Sequence, residues 1–351
     1  MENRISKGEL LEELLRNYFL GLGYYVVRGV KYKYEGNDIT DVDLFLYNRS
    51  STLSRERINV DIKNKKSPQA FERILWANGL KKLLKFEKCI VATTDNRSII
   101  QKYGLLNDTI ILDGSFISKL KQKNNNEVNR FTEEEFLLKL SRHKSHKSFE
   151  NKDWRYIYEL SKSKLLNELD YSGFNSNLFL LRYLVEKIIT DIQRREDAIR
   201  FLYANISHLL IMMDFISKDI NFLEVAQKSE QIREGLNYGN LGKEGVKSII
   251  DIAVTLSGKS LSSFNKSFDS PQYSILSEFF SKNDVLRNIF GLAKSFDQLA
   301  YNKNFISPNN LDTTHRVVIS VFLDYLEIER KAFYDSSFIE IQGELPLEDN
   351  K

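Results

Sequence analysis

The chain has 351 residues, 42% of them hydrophobic, enough to bury a sizeable core and, at this length, more naturally two domains than one. A formal net charge of only +3 excludes a polyanion-coating protein of the histone type, so any basic surface must be local. One cysteine, Cys89, excludes an intramolecular disulfide and a cysteine-based zinc cluster. "MENRISKGEL" holds no apolar leader, and no apolar run reaches the ~18 residues that span a bilayer, so the expectation is a cytoplasmic protein without a membrane anchor.

From Ile5 to Leu22 the residues Leu10, Leu11, Leu14, Leu15, Tyr18 and Phe19 recur at helical spacing, and Gly21 and Gly23 stop the helix. "YYVVRGVKYK", "TDVDLFLY" and "RINVDI" follow, each of strand length and rich in β-branched or aromatic residues. Gln69 to Phe86 returns to a helical period. "KCIVATT" then reads as a buried strand, "RSIIQKYG" as a helix and "TIIL" as a short strand. The order α, β, β, β, α, β, α, β predicts a mixed sheet with helices packed on it.

Past Asp113 the composition shifts, and the asparagine-rich "KLKQKNNNEVNR" reads as a linker. We place the boundary near residue 122, with one domain over 1–122 and a helical domain over 123–351 serving oligomerisation, a partner or DNA. Thr132 and Glu135 form a capping box for "EEEFLLKLSRHK". Long helices are expected over Asn177–Arg195, Asp197–Ser217 and one centred on "RVVISVFLDYLEIERKAF", while Gly235, Gly239, Gly242 and Gly245 mark a loop. The apolar stretches "FLLRYLVEKII" and "HLLIMMDFI" offer faces for self-association or a partner protein.

The chemistry concentrates in the second and third strands. Alternation puts Ile58, Val60 and Ile62 on one face and Asn59, Asp61 and Lys63 on the other. In the preceding strand Asp41 and Asp43 share the face opposite Val42, Leu44 and Leu46. An antiparallel neighbour places Asp43 within reach of Asp61. Two adjacent carboxylates repel, and a hard divalent cation with oxygen ligands neutralises them. A lysine beside them can orient an attacking water or balance charge on a phosphoryl oxygen. From Lys63 to Lys88 there are eight basic residues against two acids. Of these, Lys65, Lys66 and Arg73 stand nearest the carboxylates and are candidates for phosphate contacts.

An acid on one strand followed by acid-x-Lys on the next resembles the PD-(D/E)XK nuclease superfamily, here as Asp43 and Asp61-Ile62-Lys63. "GELLEELLRNYFLGLGYYVV" adds Glu12 ahead of Gly23-Tyr24, similar to the first helix of Mrr-like and Holliday-junction-resolvase-like members. The resemblance covers roughly the first third of the chain. It departs from the pattern in having Val42 rather than proline before Asp43, Asp41 as a rival acid, aspartate in the triplet, and only Gln69 where a glutamine motif would fall.

The resemblance implies an α/β restriction-endonuclease-like core with a mixed sheet, followed by a mainly α-helical domain. It further implies a Mg²⁺-dependent endonuclease acting on DNA, with Mn²⁺ as substitute. Asp43, Asp61 and Glu12 would hold the metal, and Lys63 would orient the water. By the same analogy the chain belongs in a prokaryotic restriction or anti-phage system, as a homo-oligomer served by a separately encoded ATPase or sensor. The alternative is a catalytically silent nuclease-fold subunit used as a nucleic-acid-binding or assembly scaffold.

Other motifs carry less. "AVTLSGKS" lacks the first glycine of a phosphate-binding loop and reads as a helix end, so Lys259 receives no nucleotide role. His143 and His146 lie among cations and read as a solvated tail, whereas His208 and Met212-Met213 lie in an apolar helix and read as core.

Overall fold

The computed structural model describes residues 6–65, 69–123, 129–145, 152–257 and 271–337. Helix α1 (Lys7–Gly21) starts at a capping box made by Ser6 and Glu9. Strands β1 (Tyr25–Tyr34), β2 (Asn37–Arg49) and β3 (Arg55–Lys63) follow, then α2 (Ala70–Leu83), β4 (Lys88–Thr93), α3 (Ser98–Leu106), β5 (Thr109–Leu112) and α4 (Gly114–Lys123). The five strands form one open mixed sheet in chain order. The pairs β1–β2 and β2–β3 are antiparallel, and β3–β4 and β4–β5 are parallel, joined through α2 and α3.

Alternation decides what each face buries. Val26, Leu44, Leu46, Ile58, Val60, Ile62, Ile90 and Ala92 pack under Leu11, Leu14, Leu15 and Phe19 of α1 and Ile117 of α4. On the opposite face Cys89, Val91 and Ile111 pack under Ala70, Ile74 and Ala77 of α2 and Ile100 of α3. The extra helix α4 runs into the start of the expected linker, over Lys119 to Lys123. Asp113 caps it by accepting from the Phe116 N–H at 2.9 Å, and Phe116, Ile117 and Leu120 bind it to the α1 face.

The helical part comprises α5 (Glu133–Ser141), α6 (Trp154–Asn167), α7 (Tyr171–Thr190), α8 (Arg195–Ser217), α9 (Val225–Tyr238), α10 (Gly242–Ser257), α11 (Gln272–Phe280), α12 (Asn283–Tyr301), α13 (Thr313–Tyr325) and α14 (Arg330–Ser337). Its core is continuous with the sheet: Tyr25, Val27, Phe45 and Tyr47 lie in one apolar cluster with residues of α6, α7, α8 and α12.

Several expectations change. Helix α7 begins at Tyr171, six residues before Asn177, because Asp170 caps it by accepting from the Ser172 and Gly173 N–H groups. The helix around "RVVISVFLDYLEIERKAF" is two, broken where Glu327 adopts a left-handed φ of 57°. Gly235 sits inside α9, where a Cβ would meet the Tyr171 ring at 2.3 Å, so it serves close packing and not a loop. "HLLIMMDFI" offers no free face, since nearly every residue of α8 is buried. Of "FLLRYLVEKII" most apolar side chains are also buried, leaving Phe179 exposed. The stretch Ile192–Ser217 is long and apolar enough to cross a membrane, and 94% of its apolar window is buried inside the protein. Helix α10 runs to Ser257, and Gly258, Lys259 and Ser260 lie outside the described residues.

His143 is no solvated tail. Its Nε2 lies 2.6 Å from Asp197 Oδ2 and its ring 4.7 Å from that of Trp154, whereas His146 lies outside the described residues. Met212 and Met213 are core, and so is His208, whose Nδ1 lies 2.9 Å from Ser161 Oγ. Burial, reinforced by Lys162, holds the His208 pKa down at about 3.

A histidine neutral when folded but protonating near 6.5 when unfolded withdraws stability as pH falls from 6.5 towards 3. The loss is about 1.4 kcal/mol per pH unit. Glu133 acts lower: burial pushes its carboxyl up, but Lys162 and Arg16 outweigh that and bring it to about 2. Its contribution is complete above 4.5 and disappears as pH falls towards 2. We expect urea titrations of a His208→Gln variant to lack, between pH 6.5 and 4.5, the slope of about 1.4 kcal/mol per unit that the parent shows. An unchanged slope assigns the acid sensitivity elsewhere.

Candidate active site

The β2–β3 ladder ends at Leu44 opposite Val60, and Asp43 and Asp61 are the next residues of the two strands, on the same side of the sheet. Directly opposed residues of an antiparallel pair share a face, so both carboxylates point to the side that α2 covers. Asn59, two residues before Asp61, confirms that side by donating to the Ala77 carbonyl of α2 at 3.2 Å. Asp43 Oδ2 accepts a 2.6 Å hydrogen bond from the Ile62 N–H, which ties it to β3. Its rival Asp41 is exposed and lies opposite Lys31 of β1. Of the two acids, Asp43 is the one that contacts the Asp61-Ile62-Lys63 triplet.

Asp61 is buried, with 6% of its surface exposed. Both its oxygens are taken by Arg73 from the first turn of α2: Nε donates to Oδ2 at 2.7 Å and Nη2 to Oδ1. Arg73 is therefore a partner of the carboxylate and not a free phosphate contact. Lys63 is half-buried and forms no ion pair among the described residues. Burial raises the Asp43 carboxyl above the ordinary carboxylate range; the Ile62 hydrogen bond opposes this, Asp41 adds to it, and Lys63 and Arg73 pull it down. Nearby cations thus favour the ionised Asp43 carboxylate against the cost of its burial.

Glu12 of α1 has another partner. Its Oε2 accepts from Arg28 Nη2 at 2.6 Å, and Arg28 also binds Glu13 and Glu134. Burial raises the Glu12 carboxyl, Arg28 lowers it, and Asp43 raises it again, so the two acids lie within electrostatic reach. Among the described residues no group of three or more His, Cys, Asp and Glu side chains stands close enough to hold a metal ion. The expected trio of Asp43, Asp61 and Glu12 is therefore not assembled, because a buried arginine satisfies Glu12.

Whether the remaining pair fits Mg²⁺ rests on its donor chemistry. Asp43 and Asp61 are hard oxygen donors on adjacent strands, and a cationic side chain already sits against Asp61. Mg²⁺ commonly takes one or two carboxylates, with waters and substrate phosphates completing its shell. The pair fits in type and number once Arg73 yields Asp61.

Of the basic residues that follow, two more are held by acids. Lys81 binds Asp108, and Lys88 binds Glu56 at 2.7 Å. Lys65 is exposed beyond β3, its carbonyl accepting from Thr94 Oγ1 at 2.7 Å, and Lys66 lies outside the described residues. Gln69 stands at the start of α2 in a left-handed conformation, φ 49°, with no side-chain cap.

Two arginines are what sequence reasoning missed, Arg28 altogether and Arg73 in its partner. The signal for Arg28 was a lone cation in the apolar strand "YVVRGV"; such a residue needs a buried acid. No protein-family model, curated protein or solved structure matches this chain.

Proposed function

We propose that the chain is a divalent-metal-dependent endonuclease of the PD-(D/E)XK type, hydrolysing phosphodiester bonds in DNA. The observation that carries this is the convergence of Asp43 and Asp61 from adjacent antiparallel strands, with the ammonium of Lys63 two residues further on. The strand order and the helix that precedes them support the same reading.

In this reading Asp43 and Asp61 hold the metal, which when bound supplies Lewis-acid stabilisation of the phosphoryl oxygens and makes a water more acidic. Lys63 orients the attacking water and balances charge on the phosphate. The Ile62 N–H fixes Asp43 so that one carboxylate oxygen remains for the cation. Glu12 acts at a distance, through its charge on Asp43. In the same reading Lys65, exposed beyond β3, meets backbone phosphates.

Membership of a prokaryotic restriction or anti-phage system, as a homo-oligomer activated by a separately encoded ATPase or sensor, extends the reading by analogy. The occupation of Asp61 by Arg73 favours a second reading, a catalytically silent nuclease-fold scaffold. Incubation with duplex DNA separates them: cutting that needs Mg²⁺ or Mn²⁺ and stops with EDTA supports the enzyme. No cutting under any of these conditions supports the scaffold.

A further inference from the structure

Arg73 occupies the position in which a metal would meet Asp61. Its guanidinium forms a two-pronged pair with both carboxylate oxygens, the geometry in which arginine binds most selectively. Asp61 has almost no exposed surface from which a second cation could approach. While the pair stands, the ligand set is one carboxylate short.

The pair is not locked in a core. Arg73 keeps 24% of its side chain exposed, whereas Asp61 keeps 6%, so the arginine is the partner that solvent and a ligand can reach. The ring of Trp76, one turn along α2 and 46% exposed, lies 6.0 Å from the guanidinium carbon, a cation–π contact that the arginine makes on its solvent side while it holds Asp61. A phosphodiester backbone lying over the exposed end of β3, beside Lys65, would offer the same guanidinium a second bidentate anion.

We propose that Arg73 is a lock on the site: it competes with the divalent cation for Asp61 and is drawn off by the phosphates of bound nucleic acid. This rests on the nuclease reading and adds regulation to it. Metal binding and nucleic-acid binding are then coupled through one side chain, each strengthening the other by the same factor. The free chain keeps Asp61 neutralised by arginine and assembles a complete site only on substrate.

The test is a Mn²⁺ titration followed by electron paramagnetic resonance, with and without a phosphorothioate-linked DNA duplex that resists cutting. The proteins are the parent, Arg73→Ala, Arg73→Lys and Asp61→Asn, each checked for folding by circular dichroism. The lock predicts that Arg73→Ala binds Mn²⁺ at least about tenfold more tightly than the parent, because no competing population remains. Arg73→Lys, with a single point charge, falls between. The duplex tightens Mn²⁺ binding to the parent by a larger factor than to Arg73→Ala, in which only the phosphate ligands themselves add to the site. If Asp61→Asn abolishes Mn²⁺ binding but Arg73→Ala binds no more tightly than the parent, Arg73 is a structural counter-ion and the lock fails while the nuclease reading stands. If neither parent nor Arg73→Ala binds Mn²⁺, with or without duplex, both fail.

Discussion

Replacing Asp61 by alanine is expected to reduce metal-dependent cleavage by about a thousandfold or more, at a cost to stability of only about 1–2 kcal/mol. The two effects separate because Asp61 has two relations in the structure. Towards the reaction it is half of the carboxylate pair, and Asp43, already accepting from the Ile62 N–H, cannot supply the missing ligand. Towards the fold it is one side of an ion pair whose other member, Arg73, is 24% exposed. Water reaches the orphaned guanidinium, so the penalty stays below the ~3–5 kcal/mol seen when a wholly buried charge loses its partner. Cleavage rates together with urea denaturation decide the matter. A variant that cuts at the parental rate makes Asp61 a purely structural counter-ion.

The largest stability effect is expected far from that pair, at Asp214. This aspartate of α8 has no exposed surface, and it accepts from Tyr47 OH at 2.6 Å, Arg55 Nε at 2.6 Å, Arg55 Nη2 at 3.1 Å and Arg49 Nη1 at 3.1 Å. All three partners belong to β2 and β3, the hairpin that carries Asp43 and Asp61. Asp214→Ala leaves the side chain of Arg55, itself entirely buried, without its charge partner, and about 3–5 kcal/mol should be lost. The urea midpoint reads that loss. A change below about 1 kcal/mol would mean that water enters to satisfy Arg55.

What local periodicity encodes was legible. The alternation in "INVDIK" and "TDVDLFLY" announced which residues share a face, and β3, β2 and α2 lie where those patterns put them. That Asp43 lies on the strand next to the Asp61 triplet followed from strand order, but its choice over Asp41 rests on the contact with the Ile62 N–H. Partnerships across long sequence separations were not legible, because nothing local in "VVRGV" or "AFERIL" states which acid an arginine will meet. Arg28 takes Glu12 and Arg73 takes Asp61 only once α1, β1, α2 and β3 have packed. The helical part shows the same limit from the apolar side. A helix as apolar as α8 reads equally as an interface or as a core, and the burial of its residues between β1, β2, α7 and α12 decides for core. The break between α13 and α14 hangs on one residue, Glu327, of a type that carries no turn signal.

The proposal that this chain is a metal-dependent nuclease is tested most directly by supercoiled plasmid offered to the parent and to Lys63→Ala in Mg²⁺ or Mn²⁺, with EDTA as control. Nicked or linear product is expected from the parent, none with EDTA, and a rate for Lys63→Ala lower by at least about a hundredfold while its Mn²⁺ binding is retained. Cutting by Lys63→Ala at the parental rate, or a parent that leaves the plasmid intact in both metals, would contradict it.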